Sequence, residues 1–118
     1  MTQNSIISTK TLGKFSEYFV ATFLILKAYT ILHMRYKSPT GEVDIIAQKG
    51  TTLVFIEVKS RKNLDLSYNI IRNKQIYRIK NTAALYLQKN RRYNDHDVRF
   101  DLIMVSNFFH IEHIKNAW

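Results

Sequence analysis

The 118-residue sequence contains no cysteine. That excludes disulfides, thiolate metal ligands, iron–sulfur clusters and a cysteine nucleophile. Three glycines and one proline leave no room for a collagen repeat or a low-complexity linker. Long apolar runs are missing too. The longest, Phe19 to Leu26, is far short of the roughly 20 residues a membrane-spanning helix needs. The first eighteen residues are polar and mixed, with no small-residue cleavage site after an apolar stretch. The expectation is a cytoplasmic protein without a membrane partner. Acids are scarce as well: 9 Asp+Glu against 18 Lys+Arg, a net charge of +9.

What is present describes a folded domain. Hydrophobic residues make up 46% of the chain, enough to exclude general disorder. A chain of this length is expected to form one domain over residues 1–118, with 1–9 flexible, and to bury its own core. The basic excess is uneven. Residues 59–92 hold ten basic side chains and one acid, Asp65, whereas the first 58 hold six basic and four acidic ones. A one-sided excess suits a surface that meets a polyanion, and nucleic acid is the commonest such partner. A basic surface kept for solubility is the plainer alternative.

Periodicity predicts the order α-β-β-β-α-β-β, an α/β fold with a mixed central sheet of about five strands flanked by helices. Leu12, Phe15, Phe19, Phe23 and Leu26 recur at helical steps over about 10–27, and Ser8 or Thr9 is placed to cap the start. Strands are expected at 28–36, 42–47 and 52–58, with a turn over 37–41 and a hairpin signal, Gly in the turn, at Gln48-Lys49-Gly50-Thr51. A second helix follows over about 68–89, with Ile76, Ile79, Ala83 and Leu87 inward. Two closing strands follow at 98–105 and 108–114.

The central hairpin carries the chemistry. Side chains alternate across a strand, so Leu53, Phe55, Glu57 and Lys59 share a face. With a two-residue Lys49-Gly50 turn, Asp44 lies opposite Phe55 and diagonal to Glu57, and Glu42 lies opposite Glu57. A four-residue loop keeps that parity, whereas a three-residue loop sends Asp44 to the other face unless a bulge corrects it. Like charges opposed on a sheet are destabilising, and two acids among Val, Ile and Phe lose solvation. A divalent cation compensates both, and all-oxygen ligation selects Mg²⁺ or Mn²⁺ over zinc. Two carboxylates reaching toward each other from this face, which carries Glu42, Asp44 and Glu57, can both ligate one ion, and Lys59 is placed to stabilise charge on a reacting phosphate. A solvated hairpin face also alternates acids with lysine. Here, however, Leu53 and Phe55 share the face of Glu57, which fits a pocket at a strand end better.

These residues also carry a family pattern. Gly41-Glu42-Val43-Asp44-Ile45-Ile46-Ala47, followed by Leu53-Val54-Phe55-Ile56-Glu57-Val58-Lys59-Ser60-Arg61, resembles the GEID-L-IA … VF-V-EVK-x-R signature of the YraN-like bacterial family. That family resembles the Holliday-junction resolvases of the restriction-endonuclease-like, or PD-(D/E)xK, superfamily. Gly13, Glu17, Ala21 and Leu24 match its first helix, Arg99-Phe100-Asp101 a later strand, and 111–118 its ending. The resemblance implies a restriction-endonuclease-like domain and a metal-dependent endonuclease hydrolysing phosphodiesters of DNA, branched DNA included. Asp44 and Glu57 would hold the metal, Lys59 would be the catalytic lysine, and Glu17 the first-helix acid near the metal. Glu42 would be a supporting residue. It also implies a homodimer. The chain departs from the family at Arg35, where Asn is more usual, and in the loop after Lys59, which lacks the usual Gly.

Lys74, Gln75 and Arg78 open the second helix, and Lys74 and Arg78 share a face away from Ile76 and Ile79. With Arg61 they are the expected nucleic-acid contacts. His33, His96, His110 and His113 lack metal-ligand spacing. Asp101 is expected to be structural, paired with Arg99 or a nearby base. The alternative function is a non-catalytic nucleic-acid-binding module that keeps the nuclease fold.

Overall fold

The computed structural model describes residues 9–60, 73–106 and 110–118. Along these, α1 (Thr9–Leu26) leads into β1 (Thr30–Ser38), β2 (Gly41–Lys49) and β3 (Thr52–Ser60); α2 (Asn73–Lys89), a 3-10 turn (Arg91–Tyr93), β4 (Asp97–Val105) and β5 (Ile111–Ile114) follow. The five strands form one sheet in sequence order, antiparallel except for β3 and β4. That parallel pair requires a crossover, and α2 lies within it. The expected α/β class, element order and mixed five-strand sheet are all present.

Alternation along β2 and β3 gives the sheet two apolar faces. Ile45, Ala47, Val54 and Ile56 pack with Val20, Ala21 and Leu24 of α1. Ile46, Leu53 and Phe55 pack with Ile79, Ala83 and Tyr86 of α2. A strand pair buried on both faces reads as continuous apolar runs, and the hairpin does so over Ile45-Ile46-Ala47 and Leu53-Val54-Phe55-Ile56.

The buried stripe of α1 differs from the expected one. Phe15 is 61% exposed and Leu26 82%, whereas Val20 and Leu24 are fully buried; Phe19 and Phe23 pack at the margin. The segment FVATFLIL is apolar nearly all round, so periodicity could not choose its inner face. The small Ala21 turns inward, as expected from a helix that approaches its sheet closely. On α2, Thr82 and Tyr86 join Ile79 and Ala83 in the core, and Leu87 sits at its margin. The first strand starts two residues later than expected. Ala28 adopts a left-handed conformation (φ 71), and the Tyr29 N–H reaches back to the Leu24 carbonyl, a helix-ending arrangement that consumes both residues. The expected start of the second helix at 68–72 and residues 1–8 lie outside the described residues.

The hairpin turn is Gly50-Thr51, not Lys49-Gly50. Gly50 takes the left-handed position (φ 58), so Lys49 faces Thr52 and Ile45 faces Ile56. Moving the turn by one residue moves every pair by two. Parity therefore survives, but the expected partners do not: this register sets Glu57, not Phe55, across from Asp44, and Glu42 no longer opposes Glu57.

Candidate metal and nucleic-acid site

The regular β2–β3 ladder stops at Ile45 and Ile56. One step further, the Val58 N–H donates to the Asp44 carboxylate, Oδ2, at 2.8 Å. A side chain thus takes the place of a backbone acceptor. Alternation slips at the same point, since Val43 and Ile46 both pack into the α2-side core. On the other flank, the pairs Met34–Ile45 and Tyr36–Val43 bracket Arg35 and Asp44. Arg35, Asp44 and Glu57 therefore form a row across three neighbouring strands. Arg35 stands in the left-handed region (φ 54), which costs a residue with a β-carbon roughly 1–2 kcal/mol.

Glu57 is buried, at 7% exposure. Its Oε2 accepts a hydrogen bond from Gln75 Nε2 of α2 and lies 3.6 Å from Lys59 Nζ. Its other oxygen, Oε1, is buried without a hydrogen-bond partner. Burial, then the neighbouring Asp44 carboxylate, push Glu57 up to about 8, with Lys59 opposing. Burial also raises Asp44, against the Val58 N–H and Lys59. At neutral pH the metal-free pair therefore retains a proton between its members. Glu57 is buried and Asp44 half-buried, and two neighbouring carboxylates that both lose solvation favour a cation or a proton beside them.

Glu17 of α1 is buried, and Arg35 Nε donates to its Oε1 at 2.8 Å. Burial and Asp44 raise Glu17; Arg35 counters them, and Glu42 adds a smaller upward push. Glu17 is thus in the electrostatic neighbourhood of Asp44 but is engaged by a guanidinium. Among the described residues, no three His, Asp or Glu side chains are grouped to hold an ion.

Both carboxylates open into a cleft of about 940 Å³. Glu42, Lys59, Lys74, Gln75 and Arg78 line it together with the β1–β2 turn, 37–41. The turn is locked to α2 by hydroxyls: Ser38 Oγ lies 2.9 Å and Thr40 Oγ1 3.2 Å from Thr82 Oγ1. Gly41 permits the approach, because a β-carbon there would stand 3.1 Å from Arg78 Cβ. This contact seats the first turns of α2 over the carboxylates and brings Gln75 to Glu57.

Of the residues singled out in the sequence, Asp44, Glu57, Lys59, Gln75, Lys74, Arg78 and Glu42 come together at this cleft. Glu17 stands apart from its lining, behind Arg35. Arg61 lies outside the described residues. Sequence reasoning missed the grip of Gln75 on Glu57, the Ser38–Thr40–Thr82 clamp and the partnership of Arg35 with Glu17. Only the last had a signal, the departure from Asn at position 35. An Asn would suit the left-handed backbone found there.

Asp101 is structural, as expected. Fully buried, it accepts from Arg99 Nε at 2.9 Å, from His113 Nε2 at 2.7 Å and from the Asn116 N–H at 3.0 Å. Burial pushes its carboxyl upward, but these donors together hold it below its ordinary value. The network ties β5 and the following residues to β4. His33 packs edge-on against Tyr36 and Tyr86, and Tyr86 and Tyr93 are core aromatics.

Comparison with known proteins gives consistent matches along the chain. Residues 16–105 match the model of the uncharacterised protein family UPF0102. A UPF0102 protein of Ehrlichia ruminantium (strain Gardel) is 38% identical over 115 residues, covering 95% of this chain and 87% of the relative. One from Dictyoglomus thermophilum is 43% identical over 102 residues, covering 84% and 85%. One from Geotalea daltonii is 38% identical over 118 residues, covering 92% and 90%.

Proposed function

The chain belongs to the uncharacterised family UPF0102, and we propose that this member is a metal-dependent phosphodiesterase acting on nucleic acid, with DNA as the substrate and a site of the restriction-endonuclease-like, resolvase-related kind. The observation that carries this reading is the buried, unpartnered Oε1 of Glu57, facing Asp44 on the floor of a cleft with basic walls. At neutral pH the proton retained by the pair relieves this oxygen, and a hard divalent cation that displaces the proton engages both carboxylates at once. Mg²⁺ or Mn²⁺ fits the donor set: both prefer oxygen, and Mg²⁺ keeps several waters and takes only one or two carboxylates from its protein.

Asp44 and Glu57 would hold the ion. When bound, it would supply Lewis-acid polarisation of a phosphoryl oxygen and a more acidic water. The remaining work belongs to the chain. Gln75 fixes the Glu57 carboxylate so that Oε1 stays turned inward. The Val58 N–H does the same for Asp44. Lys59 presents its ammonium to the charge that develops on the phosphate. Lys74 and Arg78 on the cleft wall bind flanking phosphates, contacts that position the backbone without reading bases.

The test is cleavage of duplex, branched and single-stranded DNA, and of RNA, with Mn²⁺. Wild-type protein is expected to cut DNA. Asp44→Asn, Glu57→Gln and Lys59→Ala are expected to lose at least a hundredfold while remaining folded and still binding DNA. Absence of cutting by wild type, with DNA binding intact, would instead support a non-catalytic binding module.

A further inference from the structure

We infer that Lys89, Arg91 and Arg92, at the end of α2 remote from the cleft, form a second phosphate-binding patch, and that one nucleic-acid backbone runs along α2 from this patch to the carboxylates. The inference rests on the reading of the cleft as a nucleic-acid site and extends it to the length of substrate that is held.

Charge along α2 and the turn after it is of one sign. Residues 73–94 carry Lys74, Arg78, Lys80, Lys89, Arg91 and Arg92, and no acid. All six are exposed, and among the described residues none is ion-paired with a carboxylate. Lys74 and Arg78 line the cleft. A helix turns by about 100° per residue, so Lys89 returns to within about 60° of Lys74 around the axis, on the side that forms the cleft wall. Lys80 is turned elsewhere, over the Phe100 ring at 5.4 Å.

The remote end is firmly built. The Asn90 N–H and the Asn90 side-chain amide both donate to the Tyr86 carbonyl, at 3.0 and 2.9 Å. The Tyr93 N–H then donates to the Asn90 carbonyl and the Asn94 N–H to the Arg91 carbonyl, and Tyr93 is buried. Arg91 and Arg92 are therefore held outward on a turn whose tyrosine is anchored in the core. The Arg92 guanidinium lies 4.9 Å over the Tyr93 ring, which fixes the plane of the fork and leaves its edge N–H groups to an outside acceptor. Asp95 and Asp97 follow, and neither pairs with this cluster. One base near a helix C-terminus is enough to complement the dipole. Three, exposed and unpaired, are the pattern that meets a polyanion.

Spacing sets the substrate length. From Lys74 to Lys89 α2 runs for about 22 Å, and each strand of a duplex advances about 3.4 Å per base pair. Patch and cleft wall are thus about six or seven base pairs apart, with the arginines a little beyond. Phosphate contacts position a backbone and read no bases, so the patch acts on length and not on sequence.

The experiment is fluorescence anisotropy over a salt series, in chelator so that no strand is cut, with duplexes of about 6 and about 14 base pairs closed by uncharged linkers. Wild type is compared with Lys89→Gln/Arg91→Gln/Arg92→Gln and with a control of equal net charge, Lys27→Gln/Lys49→Gln/Lys115→Gln, whose exposed lysines lie off α2. On the longer duplex the slope of log K against log salt is expected to be shallower by roughly 3 in the α2 variant, about 0.9 for each contact, and to stay within about 1 of wild type in the control. On the shorter duplex, which cannot span both ends, the α2 variant is expected to lose less than half as much. Lys89→Gln/Arg91→Gln keeps the Arg92–Tyr93 stack and serves where the triple change disturbs the turn; its slope on the longer duplex is expected to be shallower by roughly 2. Wild-type slopes in the α2 variants, an equal loss in the control, or an equal loss on both duplexes overturns the inference and leaves the cleft reading standing. Loss of binding to anionic phospholipid vesicles with DNA slopes unchanged assigns the patch to a membrane surface and overturns it as well. A wild type that binds neither duplex overturns this inference and the nucleic-acid reading together.

Discussion

The Asp44 carboxylate accepts the Val58 N–H across the hairpin at 2.8 Å, in the place where a regular ladder would continue. This one bond aims Asp44 at Glu57 and marks where β2 and β3 cease to pair. Removing the acceptor leaves a half-buried donor without its partner, so Asp44→Ala should lower stability by about 1–2 kcal/mol. Asp44→Asn keeps an acceptor oxygen and should stay within about 1 kcal/mol of wild type. Urea unfolding of the metal-free proteins distinguishes the two.

The pH dependence of stability has two arms of opposite sign. Burial raises Glu57 from 4.5 to about 8, so over that interval the metal-free native state holds a proton that the unfolded chain has released. Stability must then fall as pH rises from about 4.5 to about 8. Asp101 is held below its ordinary value. Its contribution is present above the usual carboxylate range and is lost as pH falls through the native value. Thermal unfolding in chelator should therefore show greatest stability in mild acid. Glu57→Gln should flatten the upper arm and gain on the order of 2–4 kcal/mol near pH 8.5.

Gly41 tests whether the seating of α2 matters to the cleft. A methyl group there meets Arg78 Cβ at 3.1 Å, so Arg78 must give by a few tenths of an ångström, and the backbone conformation (φ 155) is itself one that L side chains rarely adopt. Gly41→Ala should cost about 1–3 kcal/mol and should also weaken Mn²⁺ binding, because Gln75 moves off Glu57. Stability lost with unchanged metal affinity would separate the clamp from the site.

Lys74 and Arg78 should act as phosphate contacts. Fluorescence anisotropy with a duplex over a salt series measures this directly. The double change Lys74→Gln/Arg78→Gln should reduce the slope of log K against log salt by roughly 2, about 0.9 for each contact. Affinity should fall similarly for unrelated sequences.

Part of this site was legible from parity. Glu57 and Lys59 share a face by the geometry of any regular strand, but Asp44 sits where alternation along β2 slips, so its place beside Glu57 depends also on its bond to the Val58 N–H. The choice of glycine in the turn was harder to read. Gly50 could occupy either turn position, and the left-handed requirement at the first moved the register by two. The inner face of α1 was illegible for another reason: apolar residues encircle it, so only the tertiary fit of Val20, Ala21 and Leu24 selects a side. The Arg35–Glu17 pair joins positions 18 residues apart on different elements, and no local pattern reports such a contact. The grip of Gln75 on Glu57 likewise depends on how α2 docks, which Gly41 and Thr82 decide.

The central claim is that Asp44 and Glu57 are a metal-binding pair carrying a proton when empty. Calorimetric titration of Mn²⁺ at pH 7 in buffers of different ionisation enthalpy tests it most directly. Wild type should bind with release of about one proton per ion, seen as a buffer-dependent heat, and Asp44→Asn should show no binding in the same range. Equal binding by the two proteins, or a wild type silent to Mn²⁺, would contradict the account.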